Sequence, residues 1–111
     1  MLNQITLVGR LVKDVEFKEL EKGKKTANIT LAVPRSYKNA DGVYETDFID
    51  CILWNNIAEN TKEYCRKGDL IGVRGRLQTF PKANDEGFAN GHELAVIAEK
   101  VTFLSNKQTE D

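Results

Sequence analysis

The stretch Thr46-Asp47-Phe48-Ile49-Asp50-Cys51-Ile52-Leu53-Trp54 decides the fold. It is rich in β-branched and aromatic residues and therefore reads as a strand. Side chains alternate between the faces of a strand, so Ile49, Cys51 and Leu53 share one side and look like core. Phe48, Asp50, Ile52 and Trp54 fall on the other, with the two rings roughly 20 Å apart at ~3.3 Å per residue. That second face is unusual. A core face seldom carries an unpaired Asp, and a solvent face seldom carries both Phe and Trp. Either this face is a binding platform or a second layer packs over it.

Upstream, residues 26–33 alternate cleanly, with Ala27, Ile29, Leu31 and Val33 inward and Thr26, Asn28, Thr30 and Ala32 outward. Pro34 has no N–H to donate and ends the regular ladder. Residues 35–46 read as a long hairpin loop turning at Asp41-Gly42, with the aromatics Tyr37 and Tyr44 interleaved among Arg35 and Lys38. Residues 3–15 form the first strand, in which Gly9 marks a bulge or bend. The charged Lys18–Lys25 segment reads as its solvated connection.

Downstream, a helix is predicted over 57–66, with Asn56 as N-cap, Glu59 three residues on, and Gly68 as the stop. Residues 70–79 return to strand, with Ile71, Val73 and Leu77 inward and Arg74, Arg76, Gln78 and Phe80 outward. Residues 81–91 read as a second long loop. In the last strand, 92–104, the inward parity switches from Leu94, Val96 and Ala98 to Val101 and Phe103. The switch predicts a bulge near Glu99–Lys100. The order of three strands, one helix and two strands, with bend-marking glycines, matches an all-β fold. The layout expected is the five-stranded Greek-key oligonucleotide-binding barrel (OB-fold), with its helix between strands three and four; a β-grasp or small mixed α+β sheet competes, and the glycine placement and lack of a second helix favour the barrel. Residues 1–104 make up the domain and 105–111 a short polar tail.

At 111 residues the chain holds one core and not two. The net charge of −1 announces no nucleic-acid partner, yet a local basic stripe can sit on a neutral protein. No apolar run approaches the ~18 residues of a membrane span, so a cytoplasmic protein with no membrane partner is expected. Cys51 and Cys65 form no CxxC pair and read as inert buried thiols, and His92 has no neighbours at metal-ligand spacing. No Ser/His/Asp set, clustered carboxylates or phosphate-cradling loop supports catalysis. No enzyme, cofactor or metal is expected.

Single-stranded nucleic acid binding needs cations for phosphates and rings for bases. Arg74, Arg76 and Phe80 share one side of strand four, Phe48 and Trp54 the outer side of strand three. Arg35, Tyr37 and Lys38 sit where strand two runs into its loop. Each feature alone is what an ordinary solvated surface carries; their coincidence on one barrel face points to DNA. Phosphate contacts are assigned to Arg10, Arg35, Lys38, Lys62, Arg74, Arg76 and Lys82.

Leu2-Asn3-Gln4-Ile5-Thr6-Leu7-Val8-Gly9-Arg10-Leu11 resembles the first strand of bacterial single-stranded DNA-binding proteins, and Ala27-Asn28-Ile29-Thr30-Leu31-Ala32 their second. Glu63-Tyr64-Cys65-Arg66-Lys67-Gly68-Asp69 resembles their helix end, and Val73-Arg74-Gly75-Arg76-Leu77 their fourth strand. The resemblance runs in order over 1–104. It implies the same barrel, a homotetramer built as a dimer of dimers, and sequence-independent wrapping of single-stranded DNA near the nucleoid. The processes it implies are replication, recombination, repair or DNA uptake. The family's stacking rings fall on Tyr37, Phe48 and Trp54. A fourth aligns near Lys82, where Phe80 or Phe88 would substitute. The chain stops at Thr109-Glu110-Asp111 without the family's long linker and acidic tip, so recruitment of repair enzymes through such a tip is not expected. Two alternatives compete: a dimeric primosome-type relative, and a barrel that serves only as a protein-interaction module.

Overall fold

Two adjacent alternating strands create the core. In the computed structural model, which describes residues 1–83 and 89–105 and the side chains of 1–81 and 92–105, Tyr44–Trp54 (β4) pairs antiparallel with Lys25–Lys38 (β3). The register sets Ile49 opposite Leu31, Cys51 opposite Ile29 and Leu53 opposite Ala27. Residues opposite one another on an antiparallel pair share a face, so the two inward sets coincide. Leu31, Cys51, Leu53 and Ala27 are fully buried. Each large apolar side chain so buried contributes ~1.5–3 kcal/mol before chain entropy is charged against it.

The remaining strands are Ile5–Leu11 (β1), Glu16–Glu19 (β2), Leu70–Ala83 (β5) and Ala89–Ser105 (β6). Their sheet order is β1-β5-β6-β4-β3-β2, and β1 also pairs with β3 at Arg10–Ala32 and Leu11–Leu31. That extra pairing closes the barrel. The β4–β6 contact, at Cys51–Val96 and Ile52–Ile97, is parallel. The expected first strand, 3–15, is thus in two pieces. β1 lies on β5 and reaches β3 only at its end, while β2 lies on the start of β3. A strand serving two neighbours must turn, and residues 12–15 make that corner. Val15 is buried there, and Asp14 Oδ1 accepts the Lys67 N–H at 2.8 Å. With the two pieces counted as one, the fold is the expected closed five-stranded OB-fold barrel.

Several boundaries differ from the sequence reading. Lys18 and Glu19 belong to β2, and a single 3₁₀ turn at Glu21–Gly23 leads into β3. β3 runs through Pro34 to Lys38, although its register with β4 does shift after Pro34. The connecting loop is therefore 39–43 rather than 35–46, with Gly42 at φ 77° and Asn39 Oδ1 accepting the N–H of Asp41 and Val43. Likewise β5 reaches Ala83 and β6 starts at Ala89, because paired antiparallel arms keep satisfying backbone groups beyond the barrel wall. The expected bulge is present: Arg74 pairs with Lys100 but Gly75 with Ala98, leaving Glu99 extra. Leu77, taken as inward, is exposed, as are Leu94 and Phe103.

The helix α1 spans Asn55–Tyr64, two residues earlier than predicted, and Trp54 rather than Asn56 occupies the N-cap position. Its Ala58 and Thr61 are buried, and Ala58 joins the barrel core. The early start depends on Asn55, which sits at φ 54° while its Oδ1 accepts the Lys25 N–H at 3.3 Å. Asn tolerates this left-handed region better than other side chains do. Asn55→Ala is expected to lower stability by ~1–2 kcal/mol and Asn55→Gly by no more than about 0.5 kcal/mol. Urea melts of the two variants test this, and equal losses would assign the effect to the side-chain hydrogen bond instead. Gly68, at φ 94°, turns the chain after α1, and its N–H donates to Leu11 O at 2.8 Å.

Both cysteines are buried and unpaired. Burial, and then the neighbouring Asp50 charge, pushes the Cys51 thiol up to about 12. Burial, and then Asp69, pushes Cys65 up to about 11. Neither is thiolate at neutral pH, as expected of core residues.

Candidate nucleic-acid interface

On the outer face of β4, Phe48 is 67% exposed and Trp54 41% exposed, with Asp50 exposed between them. Among the described residues no second layer of this chain covers them. Phe48, Ile5, Leu77 and Leu94 border a shallow apolar groove of about 400 Å³. A second groove of about 440 Å³ continues from it over Asp50 and Leu94. Asn28, Thr30, Ile52 and Phe80 line its walls. Phe80, reached through the β5–β6 arm, thus faces the same trench as the outer side of β4. Exposed Leu77 and Leu94 explain themselves here: they floor the groove beside Phe48.

Tyr37, 63% exposed, stands on the β3 extension. Next to it, the Lys38 ammonium lies 5.7 Å from the centroid of the Tyr44 ring. Tyr44 is a ring that the candidate set lacked. Its sequence signal was a strand-like parity with Phe48, hidden because residue 44 was assigned to a loop.

The predicted cations separate into groups. Arg35 is engaged: its Nη1 donates to Glu45 Oε2 at 2.6 Å and its Nη2 to Asp47 Oδ1 at 2.9 Å. The Arg35 hydrogen bonds, and then its charge, hold the Asp47 carboxyl below the usual range. Arg35 therefore braces the β3–β4 arm. Arg76 donates to Gln78 at 2.7 Å and lies 3.9 Å from Glu99. Arg74 is exposed, with Lys100 and Thr6 opposite it on the adjacent strands, on a different groove from the rings. Arg10 donates to Gly68 O at 3.0 Å beside the helix–strand turn, and Lys62 is exposed in the last turn of α1. The Lys82 side chain and all of Phe88 lie outside the described residues. Rings and free cations thus do not form one patch. Phe48 and Phe80 line the trench, Trp54 stands at the end of β4 and Tyr37 on the β3 extension, and the cations lie at several places around the barrel.

The sequence of residues 2–104 matches the model of the single-strand binding protein family. The chain belongs to that family. It is 47% identical over 110 residues to single-stranded DNA-binding protein B of Bacillus subtilis, covering 99% of this chain and 96% of that protein. It is 44% identical over 111 residues to single-stranded DNA-binding protein 1 of Staphylococcus aureus, covering all of this chain and 70% of that protein. With single-stranded DNA-binding protein 3 of Listeria innocua the identity is 43%, over 97% of this chain and 67% of the relative. The resemblance carried by the β1, β3, α1 and β5 segments is therefore a family relationship. Among the described residues no helix is long and apolar enough to cross a membrane.

Proposed function

We propose that the protein binds and protects single-stranded DNA without regard to sequence, as a non-enzymatic member of its family. The observation that carries this reading is the pair of exposed rings, Phe48 and Trp54, on one face of a closed barrel, with Phe80 across the trench. Every base has a π-face, so stacking at ~1–3 kcal/mol per base is tolerant of sequence. Tyr37, Phe48, Trp54 and Phe80 take the bases. Arg10, Lys38, Lys62, Arg74 and Arg76 take phosphates along the flanks. Lys82 and Phe88 are assigned to the DNA from the sequence alone, and Arg35 shapes the path through its two carboxylates. Residues 1–104 carry this activity. The working unit is a homotetramer, a dimer of dimers, acting in the cytoplasm at the nucleoid during replication, recombination, repair or DNA uptake.

The test is titration with oligo-dT, read by intrinsic fluorescence. Trp54 is the one Trp of the chain, so the signal reports that ring alone. Strong quenching is expected, with log K falling against log salt at a slope of about −3 if four phosphates are held per protomer. Quenching without salt dependence would remove the cations from the proposal. An absence of both quenching and mobility shift would turn the trench into a protein-docking surface. Light scattering separates a tetramer from the dimer of a primosome-type relative.

A further inference from the structure

Asp50 is the residue that a general DNA-binding surface does not account for. It stands on the outer face of β4 between Phe48 and Trp54, and it lines both halves of the trench. A carboxylate there repels phosphate, so it costs affinity unless it faces bases. Its geometry is defined: the Thr30 hydroxyl, on the neighbouring strand and opposite it in register, donates to Asp50 Oδ1 at 2.7 Å. Oδ2 makes no hydrogen bond among the described residues, and Asp50 lines the groove. Lys13, which shares that groove, is ion-paired with Glu16 and also feels the Asp50 charge, without a hydrogen bond to it.

We infer that Asp50, held by Thr30, reads base edges and, within binding that needs no particular sequence, adds a graded bias towards bases that present an exocyclic amine. The inference rests on the proposed DNA-binding function and deepens it. A carboxylate is acceptor-only, so it matches the N4 amine of cytosine. Against uracil or thymine it meets an N3–H flanked by two carbonyl oxygens, whose charge opposes it. Stacking on Phe48 and Trp54 sets the overall affinity, and Asp50 grades the bases seated between them. Because the rings hold the bases against β4, the phosphates run outside, towards the flanking cations and away from this carboxylate.

The experiment compares oligo-dC with oligo-dU of equal length, since the two bases differ at position 4 and N3 and neither carries a methyl group. Anisotropy of labelled strands gives the ratio Kd(dU)/Kd(dC) for the parent protein, Asp50→Asn and Thr30→Val. Asp50→Asn keeps the shape but adds an amide donor that suits the uracil O4. It is expected to lower the ratio about fivefold, the weight of one ordinary net hydrogen bond, because the Asn oxygen still accepts from the cytosine amine. Thr30→Val keeps the charge and removes the orienting donor, and it is expected to lower the ratio in the same direction by a smaller factor. If Asp50→Asn tightens both strands equally, Asp50 acts only as a repulsive charge and the inference is overturned. An unmoved ratio in Thr30→Val would remove the holding role of Thr30. If the parent protein binds neither strand, the DNA-binding reading itself fails, an outcome distinct from unchanged discrimination by a protein that binds.

Discussion

Gly75→Ala is expected to cost about 3 kcal/mol or more and to lower the melting temperature by more than about 12 °C, at ~4–8 °C per kcal/mol for a domain of this size. The reason is a closed contact. A Cβ at Gly75 would stand 2.0 Å from Ile97 O, 2.9 Å from Ile97 C and 3.1 Å from Ala98 Cα, all of them backbone atoms. No rotamer change can relieve such a clash. β5 and β6 would have to separate where the ladder skips Glu99, and Val73, Val96 and Ala98 pack into the core beside that point. Since small domains are stable by only ~5–15 kcal/mol, this one methyl group removes a large fraction of the margin. Gly72→Ala is the control on the same strand. Its Cβ would meet nothing closer than 3.6 Å, the Leu104 Cδ1, and it is expected to shift stability by less than about 1 kcal/mol. Thermal melts of both variants decide the matter. Equal behaviour would mean that the bulge at Glu99 is not a close-packed corner.

The same corner shows what can be read from a sequence of this kind. Alternation along 26–33 and 46–54 located the core because each strand buries one face and exposes the other. The parity switch near Glu99–Lys100 located the bulge, because an extra residue must reverse which side chains point inward. Where two demands fell on the same residues, the pattern failed. Leu77 and Leu94 have core-like parity and chemistry, yet they floor an open groove, and nothing local distinguishes a ligand-facing Leu from a core Leu. The helix start was misplaced because Asn56 has the chemistry of an N-cap. The backbone was turned one residue earlier, by Asn55 in the left-handed region, and that depends on the tertiary partner Lys25.

The site was legible in the same partial way. Phe48 and Trp54 stood out because their parity conflicted with their hydrophobicity. Phe80 shared a parity with Arg74 and Arg76, but the strand coils around the barrel, so those arginines and that ring do not end on one surface. Arg35 read as a free cation because its partners, Glu45 and Asp47, are brought opposite it only by the β3–β4 register. Loop lengths were overestimated at 35–46 and 81–91, because turn-forming residues mark where a chain can turn. They do not show how far pairing continues into them.

Trp54→Ala is expected to weaken oligo-dT binding by about 5- to 100-fold, the equivalent of ~1–3 kcal/mol for one stacked base. Its cost to folding should be smaller, no more than about 1–2 kcal/mol, because much of the indole is already in water in the free protein. The backbone corner beside it does not depend on the ring. Asn55 turns the chain, its Oδ1 holds the Lys25 N–H, and Lys25 Nζ lies 2.9 Å from Glu59 Oε2 in the first half of α1. Truncating the indole therefore leaves the start of the helix in place. Because the variant has no Trp, binding must be followed by anisotropy of a labelled strand, with folding followed by circular dichroism. Phe48→Ala provides the internal comparison, since that ring is more exposed than Trp54 and should lose affinity with still less effect on folding. A Trp54→Ala protein that is largely unfolded, yet binds with parental affinity in its folded fraction, would reassign the indole to the core. A loss of affinity in both variants, with near-parental melting, would mean that the outer face of β4 holds bases at two points. Asp50 would then lie between two occupied stacking positions, where its oxygen meets base edges and not phosphate.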